Sequence, residues 1–170
     1  MNLNKELENC NLKTPYFSLN GIKCLAKVIT VTDGDTIVLA IKISNSFYKF
    51  NVRFANIDTC ETKSDNEKIK QLGLKAKYRV IELFCKTKNV KINFNFDSMT
   101  KKEIEDIFDK NCFIAWVECY EFDKYGRVLA DVYVKKDDES ISNILLKEKL
   151  AYEYKGATKL TEEEQLEILK

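Results

Sequence analysis

The chain has 170 residues, with 28 Lys and Arg against 27 Asp and Glu, a formal net charge of +1, and no histidine. The length fits one domain, and the content of 45% hydrophobic and 32% charged residues excludes a disordered or membrane-embedded chain. The absence of histidine excludes Ser-His-Asp triads, His-paired cysteine nucleophiles and His-ligated zinc hydrolases.

Residues 1–21 are predicted to form a polar arm that precedes a domain of residues 22–170. The arm contains the sole proline, Pro15, and has no apolar segment of the kind found in signal peptides. Six cysteines without a Cys-x-x-Cys pair disfavour a zinc knuckle and favour reduced, mostly buried thiols. We therefore expect an intracellular protein, cytoplasmic or nuclear.

The next three segments are predicted strands. Residues 23–31 and 36–43 are β-branched runs joined by the tight turn Thr32-Asp33-Gly34-Asp35. A third strand at 47–55 follows a short polar gap and completes a meander.

After the third strand the hydrophobic period changes to that of a helix. Apolar residues between Ile69 and Phe84 recur at steps of three, four and seven, which predicts an amphipathic helix capped by Ser64 or Asp65. Residues 88–96 alternate between apolar and polar, as a half-buried strand does. Residues 97–111 form a charged insertion with a predicted helical turn around Ile104 and Phe108.

Two further strands are predicted at 113–121 and 128–134, on either side of a turn at 122–127. A second helix is predicted at 140–150, and a third begins at 161–164. The alternating pattern indicates antiparallel pairing rather than βαβ units. The expected fold class is α+β, mainly β: a five-stranded OB-type barrel with about three helices packed against it.

Three short motifs contain the candidate chemistry. Asp33-Gly34-Asp35-Thr36 is typical of a hairpin turn, and Asp58-Thr59-Cys60-Glu61 of surface ion pairs. Arg53, however, interrupts an apolar strand, and an inward-facing arginine needs an anionic partner, either carboxylate or phosphate. The turn at 123–127 supplies a second arginine, and Tyr152 and Tyr154 are a weaker candidate pair.

Taken in order, these motifs resemble the staphylococcal nuclease (thermonuclease) family. That family reads D-G-D-T, an arginine on the next strand, D-T-P-E and D-K-Y-G-R, and this chain has DGDT at 33–36, RFANIDTCE at 53–61 and DKYGR at 123–127. Gly73 matches a helix glycine of the family. The similarity extends from about residue 23 to residue 155.

The resemblance implies a metal-dependent phosphodiesterase. Ca²⁺ would be held by the carboxylates of Asp35 and Asp58 and the backbone carbonyl of Thr59, an all-oxygen set suited to a hard cation. Glu61 would hold or activate the attacking water. The implied phosphate clamp consists of two guanidinium groups, those of Arg53 and Arg127.

The resemblance also implies the substrate. Family members break the phosphorus to 5′-oxygen bond of DNA or RNA and leave 3′-phosphate ends. Lys124 and Tyr125 match residues that contact a terminal phosphate, and Tyr152 or Tyr154 matches a tyrosine that stacks on a base. We expect a monomer with DNA or RNA as its substrate and no membrane partner.

The main departure from the family pattern is Cys60, which replaces the proline of D-T-P-E. Loss of the fixed proline φ predicts a looser loop, and the neighbouring cation site predicts a lowered thiol pKa. The 97–111 insertion has no counterpart in short family members, so a lid, a partner surface or an added connection are its open roles.

Two non-enzymatic alternatives remain open. The same barrel occurs in modules that have lost the site and only bind nucleic acid or protein, and in OB-fold proteins that bind single strands. A degenerate copy should lack one of the six key positions, and here all six are filled. A single-strand binder needs a basic groove, which the net charge of +1 disfavours.

Overall fold

The structure is a computed structural model that describes residues 3–92, 99–156 and 158–169. The described elements in chain order are α1 (Leu3–Leu7), β1 (Lys23–Asp33), β2 (Thr36–Ile43), β3 (Ser46–Phe54), β4 (Ile57–Asp58), α2 (Glu67–Lys86), α3 (Lys101–Lys110), β5 (Ile114–Phe122), β6 (Val128–Tyr133), α4 (Ile141–Lys147), β7 (Tyr152–Glu153) and α5 (Glu162–Ile168). Among the described helices, none is both long and apolar enough to cross a membrane.

The long strands form a closed barrel in the order β1-β2-β3-β6-β5. This confirms the predicted five-stranded α+β barrel. The pairing is mixed, because β6 runs parallel to β3 while the other described barrel pairs are antiparallel. The parallel pair follows from closure of the barrel. β1 and β3 run in the same direction, because each is antiparallel to β2, and β5 is antiparallel to β1. The hairpin from β5 to β6 therefore makes β6 run in the direction of β3. The short strands β4 and β7 pair outside the barrel.

The helix of the insertion belongs to the hydrophobic core. Phe108 of α3 lies with its ring centroid 6.2 Å from that of Phe84 in α2 and 5.1 Å from that of Phe113, and all three side chains are buried. Ile104, one turn earlier, is also buried. The predicted helical turn is therefore a ten-residue helix that packs against the barrel.

Two local predictions differ from the structure. Residues 88–92 of the predicted strand at 88–96 are turn and irregular backbone, and the remainder lies outside the described residues. The cap of α2 is Asn66 rather than Ser64 or Asp65, because its side chain accepts a hydrogen bond from the backbone N–H of Lys68. Ser64 instead accepts one from the N–H of Asn66, which stabilises the approach to the helix.

The end of the N-terminal arm is anchored on β5. Leu19 is buried in the core, and the Phe17 and Phe122 rings lie 6.4 Å apart. The backbone N–H of Gly21 donates to the carbonyl of Cys119. Helix α1, which the sequence pattern did not predict, is exposed. The domain boundary after residue 21 stays a prediction.

The cysteines are all free thiols, as predicted. Three of them, Cys60, Cys85 and Cys119, are buried, whereas Cys10 and Cys112 are exposed and Cys24 is intermediate. Burial therefore applies to half of the six rather than to most of them.

Candidate active site

Arg53 lies on the outer face of the barrel, contrary to the expected inward orientation. Its strand neighbours Val52 and Phe54 are in the core and pair with Val128 and Ala130 of β6. Because side chains alternate along a strand, Arg53 faces the opposite side. It is nevertheless only 7% exposed, and its guanidinium donates to the carbonyl of Ile57 at 3.2 Å.

The guanidinium of Arg53 bridges two buried carboxylates. Nη1 donates to Asp35 Oδ2 at 2.6 Å, and Nη2 donates to Asp58 Oδ1. Asp35 is brought here by the turn before β2, whose first residue, Thr36, pairs with Arg53 and donates its hydroxyl to Asp35 Oδ1. Asp58 comes from β4 and is 1% exposed. The structure thus brings together three of the predicted site residues.

The two carboxylates have opposite pKa shifts. Burial raises the pKa of Asp35 to about 6, against the opposing charge of Arg53. Burial also acts to raise the pKa of Asp58, but the hydrogen bonds from Tyr152 and Arg53 and the charge of Lys159 outweigh it, so the pKa of Asp58 is lowered. The charge of Asp58 contributes to the raised pKa of Asp35, so a cation beside both carboxylates would relieve their repulsion.

The donor chemistry of this pair fits a calcium ion. Asp35 and Thr59 line the same cavity of about 550 Å³, and Asp58 lies next to them beneath Arg53. Within residues 3–92, 99–156 and 158–169, no group of three or more His, Cys, Asp or Glu side chains could hold a metal ion. A hard cation here would therefore rely on the two carboxylates and the Thr59 carbonyl, with water and substrate oxygens completing its shell.

Glu61 stands at the mouth of this cavity. Its side chain is 72% exposed, and Oε1 accepts a hydrogen bond from Lys159 Nζ at 3.2 Å. The same ammonium lies 3.1 Å from Asp58 Oδ2. Lys159 was missed by the sequence analysis, because no motif marks it and about a hundred residues separate it from its two partners.

The turn between β5 and β6 fixes the second arginine. Asp123 Oδ1 accepts from the backbone N–H groups of Tyr125 and Arg127, both at 2.9 Å, and Gly126 adopts φ 78°. Asp123 Oδ2 accepts from Nε of Arg127 at 2.7 Å. Because this bond uses Nε, the two terminal nitrogens are the donors that the described contacts leave for an anion.

Two neighbouring cavities, of about 550 and 760 Å³, share this surface. Both are lined by five of the predicted residues, namely Arg53, Lys124, Tyr125, Arg127 and Tyr154. Tyr154 also places its ring 5.8 Å from the guanidinium of Arg53. The predicted phosphate-binding and base-stacking candidates therefore meet at one place.

Tyr152 lies apart from that surface. It is buried, and its hydroxyl donates to Asp58 Oδ2 at 2.5 Å. Burial first, and then the bond to Asp58, raise the pKa of this phenol above its ordinary range. Of the two tyrosines predicted to stack on a base, the structure gives Tyr154 access to the cavities, whereas Tyr152 supports a carboxylate.

Cys60 is tied to the last helix. Its buried thiol donates to Gln165 Oε1 of α5 at 3.1 Å, so a hydrogen bond anchors the loop at the position of the family's proline. Burial and the charges of Asp58, Glu162 and Glu61 raise the pKa of Cys60 to about 11. Burial and the neighbouring carboxylates thus raise this pKa, and the lowering expected beside a bound cation stays a prediction.

Two glycines allow α2 to approach both acidic loops. A Cβ at Gly73 would lie 2.5 Å from the backbone oxygen of Cys60, and a Cβ at Gly34 would lie 2.6 Å from Cβ of Ala76. Both distances are shorter than any carbon contact tolerates. The glycines thus hold the D-G-D-T turn and the D-T-C-E loop against one helix.

Gly73→Ala should lower the free energy of unfolding by about 1–3 kcal/mol, because the added methyl group meets backbone that cannot move independently. This outcome opposes helix propensity, which favours alanine over glycine by about 1 kcal/mol. Urea unfolding measures the change, with Lys75→Ala on the exposed face of α2 as the matched control. A more stable Gly73→Ala variant would contradict the proposed close packing.

Comparisons with known proteins agree on one family. A family model described as "Staphylococcal nuclease homologue" matches residues 51–170. The chain is 32% identical over 149 residues to Endonuclease YncB of Bacillus subtilis (strain 168), covering 83% of this chain and 57% of that protein. It is 34% identical over 130 residues to SPbeta prophage-derived endonuclease YokF of the same organism, covering 75% and 34%. The chain thus spans between about a third and somewhat over half of these relatives.

Proposed function

The chain belongs to the staphylococcal nuclease family, and on that premise we propose that it is a calcium-dependent nuclease that hydrolyses phosphodiester bonds of DNA and RNA. The observation that carries the proposal is the cavity of about 550 Å³, which Arg53, Arg127 and Glu61 line together. The buried pair Asp35 and Asp58 lies at the same place, bridged by Arg53. These are the groups that hydrolysis of a phosphodiester requires in a protein without histidine.

The two arginines would bind the scissile phosphate. A guanidinium donates two parallel hydrogen bonds to a phosphate, and the terminal nitrogens of Arg127 are available for this on one side of the cavity. Arg53 lies on the neighbouring strand and is held rigidly by its two carboxylates. Such fixed donors stabilise negative charge that gathers on the phosphate oxygens in an in-line displacement.

Glu61 would position the attacking water. It is the carboxylate at the open side of the site, whereas Asp35 and Asp58 are enclosed, so it is the one that reaches water and substrate together. A water held there by hydrogen bonding is oriented towards a phosphate bound by the arginines.

Asp35, Asp58 and the Thr59 carbonyl would hold the cation. Bound Ca²⁺ supplies Lewis-acid polarisation of the phosphate and lowers the pKa of a coordinated water. The carboxylates, in turn, need that positive charge because burial penalises both of them.

The second cavity suggests how a nucleotide is held. Its volume of about 760 Å³ is within the range of small-molecule sites, and Tyr125 and Tyr154 offer aromatic faces on its lining. Lys124 offers a point charge for a neighbouring phosphate. Stacking on a ring is tolerant of base identity, so we propose that denatured DNA and RNA both serve as substrates. Cleavage would break the phosphorus to 5′-oxygen bond and leave a 3′-phosphate.

Cleavage of denatured DNA and of RNA is expected in buffer with Ca²⁺ and no Mg²⁺, and a chelator should abolish it, because the donor set is all oxygen. Gel electrophoresis of labelled oligonucleotides measures cleavage. Product ends are identified by direct phosphorylation of the new 5′-hydroxyl. Glu61→Gln, which keeps the shape of the side chain, should retain binding and lose most activity.

Chelator-resistant cleavage, or full activity in Glu61→Gln, would overturn this mechanism. Binding without any cleavage would instead support the non-catalytic module. A new 5′-phosphate rather than a 5′-hydroxyl would reject the proposed bond while leaving the nuclease assignment intact.

A further inference from the structure

Lys159 forms a second cationic bridge between acidic site residues. Its Nζ lies 3.1 Å from Asp58 Oδ2 and 3.2 Å from Glu61 Oε1. Asp58 is the shared member of both bridges, because its other oxygen accepts from Arg53. The ammonium therefore lies within hydrogen-bond distance of one buried and one exposed carboxylate. A divalent cation would bind at the same position, because it also prefers carboxylate oxygens.

The position of Lys159 is set by the elements around it. Lys159 precedes α5, whose first turn is closed by a capping box between Thr161 and Glu164. Gln165 Nε2 donates to the carbonyl of Leu160 at 2.8 Å, and Gln165 Oε1 accepts from Cys60. One bond therefore fixes the backbone next to Lys159, and the other ties it to the loop that contains Glu61.

A second tie joins α5 to the start of α2. Glu162 accepts from the hydroxyl of Ser64 at 2.8 Å and from the side-chain amide of Asn66 at 3.0 Å. With these contacts, the segment before α5 is anchored on the acidic loop and on the helix that follows it. These contacts hold the backbone of Lys159 beside the site, although its side chain is 47% exposed.

The charges at the site explain why a second cation is held there. Asp33, Asp35 and Glu61 line one cavity and Asp58 lies beside it, while Arg53 pairs with both Asp35 and Asp58. Arg127 lines the same cavity, and its Nε pairs with Asp123. Among the ion pairs of the described residues, Lys159 is the cation that pairs with both Asp58 and Glu61.

We propose that Lys159 is a positioning residue that acts as an internal counterion: it bridges Asp58 and Glu61 in the metal-free protein, and a divalent cation displaces it from Asp58. The inference rests on the proposed function, because it needs the metal site. Lys159 therefore sets a threshold for metal binding and keeps Glu61 close to the metal ligands until the site is loaded.

The test is calcium binding by the full chain, measured by isothermal titration calorimetry without nucleic acid. Lys159→Met keeps the apolar stem and removes the competing charge, so it should bind Ca²⁺ about tenfold or more tightly than the wild-type chain. Lys159→Arg keeps the charge and should bind like the wild type. Lys155→Met is the matched control, since Lys155 lies on the same connection but lines the neighbouring cavity.

A merely structural role for Lys159 predicts weaker binding in Lys159→Met, so equal or weaker affinity would overturn the inference and leave the proposed function standing. Absence of Ca²⁺ binding in every protein, the wild type included, would overturn both. Lys159→Gln, checked by circular dichroism, provides a second neutral variant and should show the same gain. An equal gain in Ca²⁺ affinity in Lys155→Met would mean that the change in net charge explains the effect, and it would reject the specific bridge.

Discussion

Arg127→Ala is expected to reduce the rate of phosphodiester cleavage at saturating Ca²⁺ by about 100- to 1,000-fold, the usual effect of removing one fixed donor to a developing oxyanion. The stability of the protein should change little, by about 1 kcal/mol or less, because the pair between Arg127 and Asp123 is partly exposed. Arg127 lines the cavity of about 550 Å³, and because its Nε is bonded to Asp123, its terminal nitrogens are the donors offered to the phosphate. Single-turnover kinetics on a short single-stranded oligonucleotide measure the chemical step.

Two variants make this result specific. Arg127→Lys keeps the positive charge but loses the planar fork, so it should recover only a small part of the activity. Arg79→Ala removes the one arginine outside the site, and this variant should cleave at the normal rate. Arg79 lies on α2 and pairs with Glu82 of the same helix and with Glu148. Near-normal cleavage by Arg127→Ala would exclude a role for this guanidinium in the transition state.

The sequence predicted the parts of the site that are local. The D-G-D-T turn and the D-K-Y-G-R turn each fold through contacts within a few residues, such as Asp33 paired with Thr36 and Asp123 with the N–H groups of its own turn. The barrel followed from strand alternation and turn chemistry, which are likewise local signals.

The parts that the sequence did not predict depend on distant packing. The orientation of Arg53 depended on which face of β3 is covered, and alternation alone does not specify that face. Tyr152 and Lys159 reach Asp58 only because β7 pairs with β4 and α5 is tied to the loop at Cys60. Likewise, the alternation at 88–96 competed with the C-terminal end of α2, where residues 87–89 form a turn.

Arg53→Ala should have the largest effect on stability, lowering the free energy of unfolding of the metal-free protein by about 3–5 kcal/mol. The variant leaves two buried carboxylates side by side, and these are 5% and 1% exposed at Asp35 and Asp58. Lys159 contacts only the second of them among the described ion pairs. Unfolding in guanidinium chloride with chelator present measures the loss, with the fluorescence of the single tryptophan as the signal.

The dependence on pH and on metal separates this effect from a simple packing defect. Arg53 holds down the pKa of Asp35, which is already raised to about 6, so removing Arg53 raises it further. The raised pKa of Asp35 costs the wild type and the variant the same stability as pH rises to about 6. Above that pH only the variant keeps Asp35 protonated and goes on losing stability, so the deficit of Arg53→Ala should grow as pH rises above about 6. Ca²⁺ should restore part of the stability, because it supplies charge to the same carboxylates, yet cleavage should stay impaired because the phosphate has lost a clamp. A deficit that is independent of both pH and Ca²⁺ would mean that the guanidinium contributes packing rather than charge.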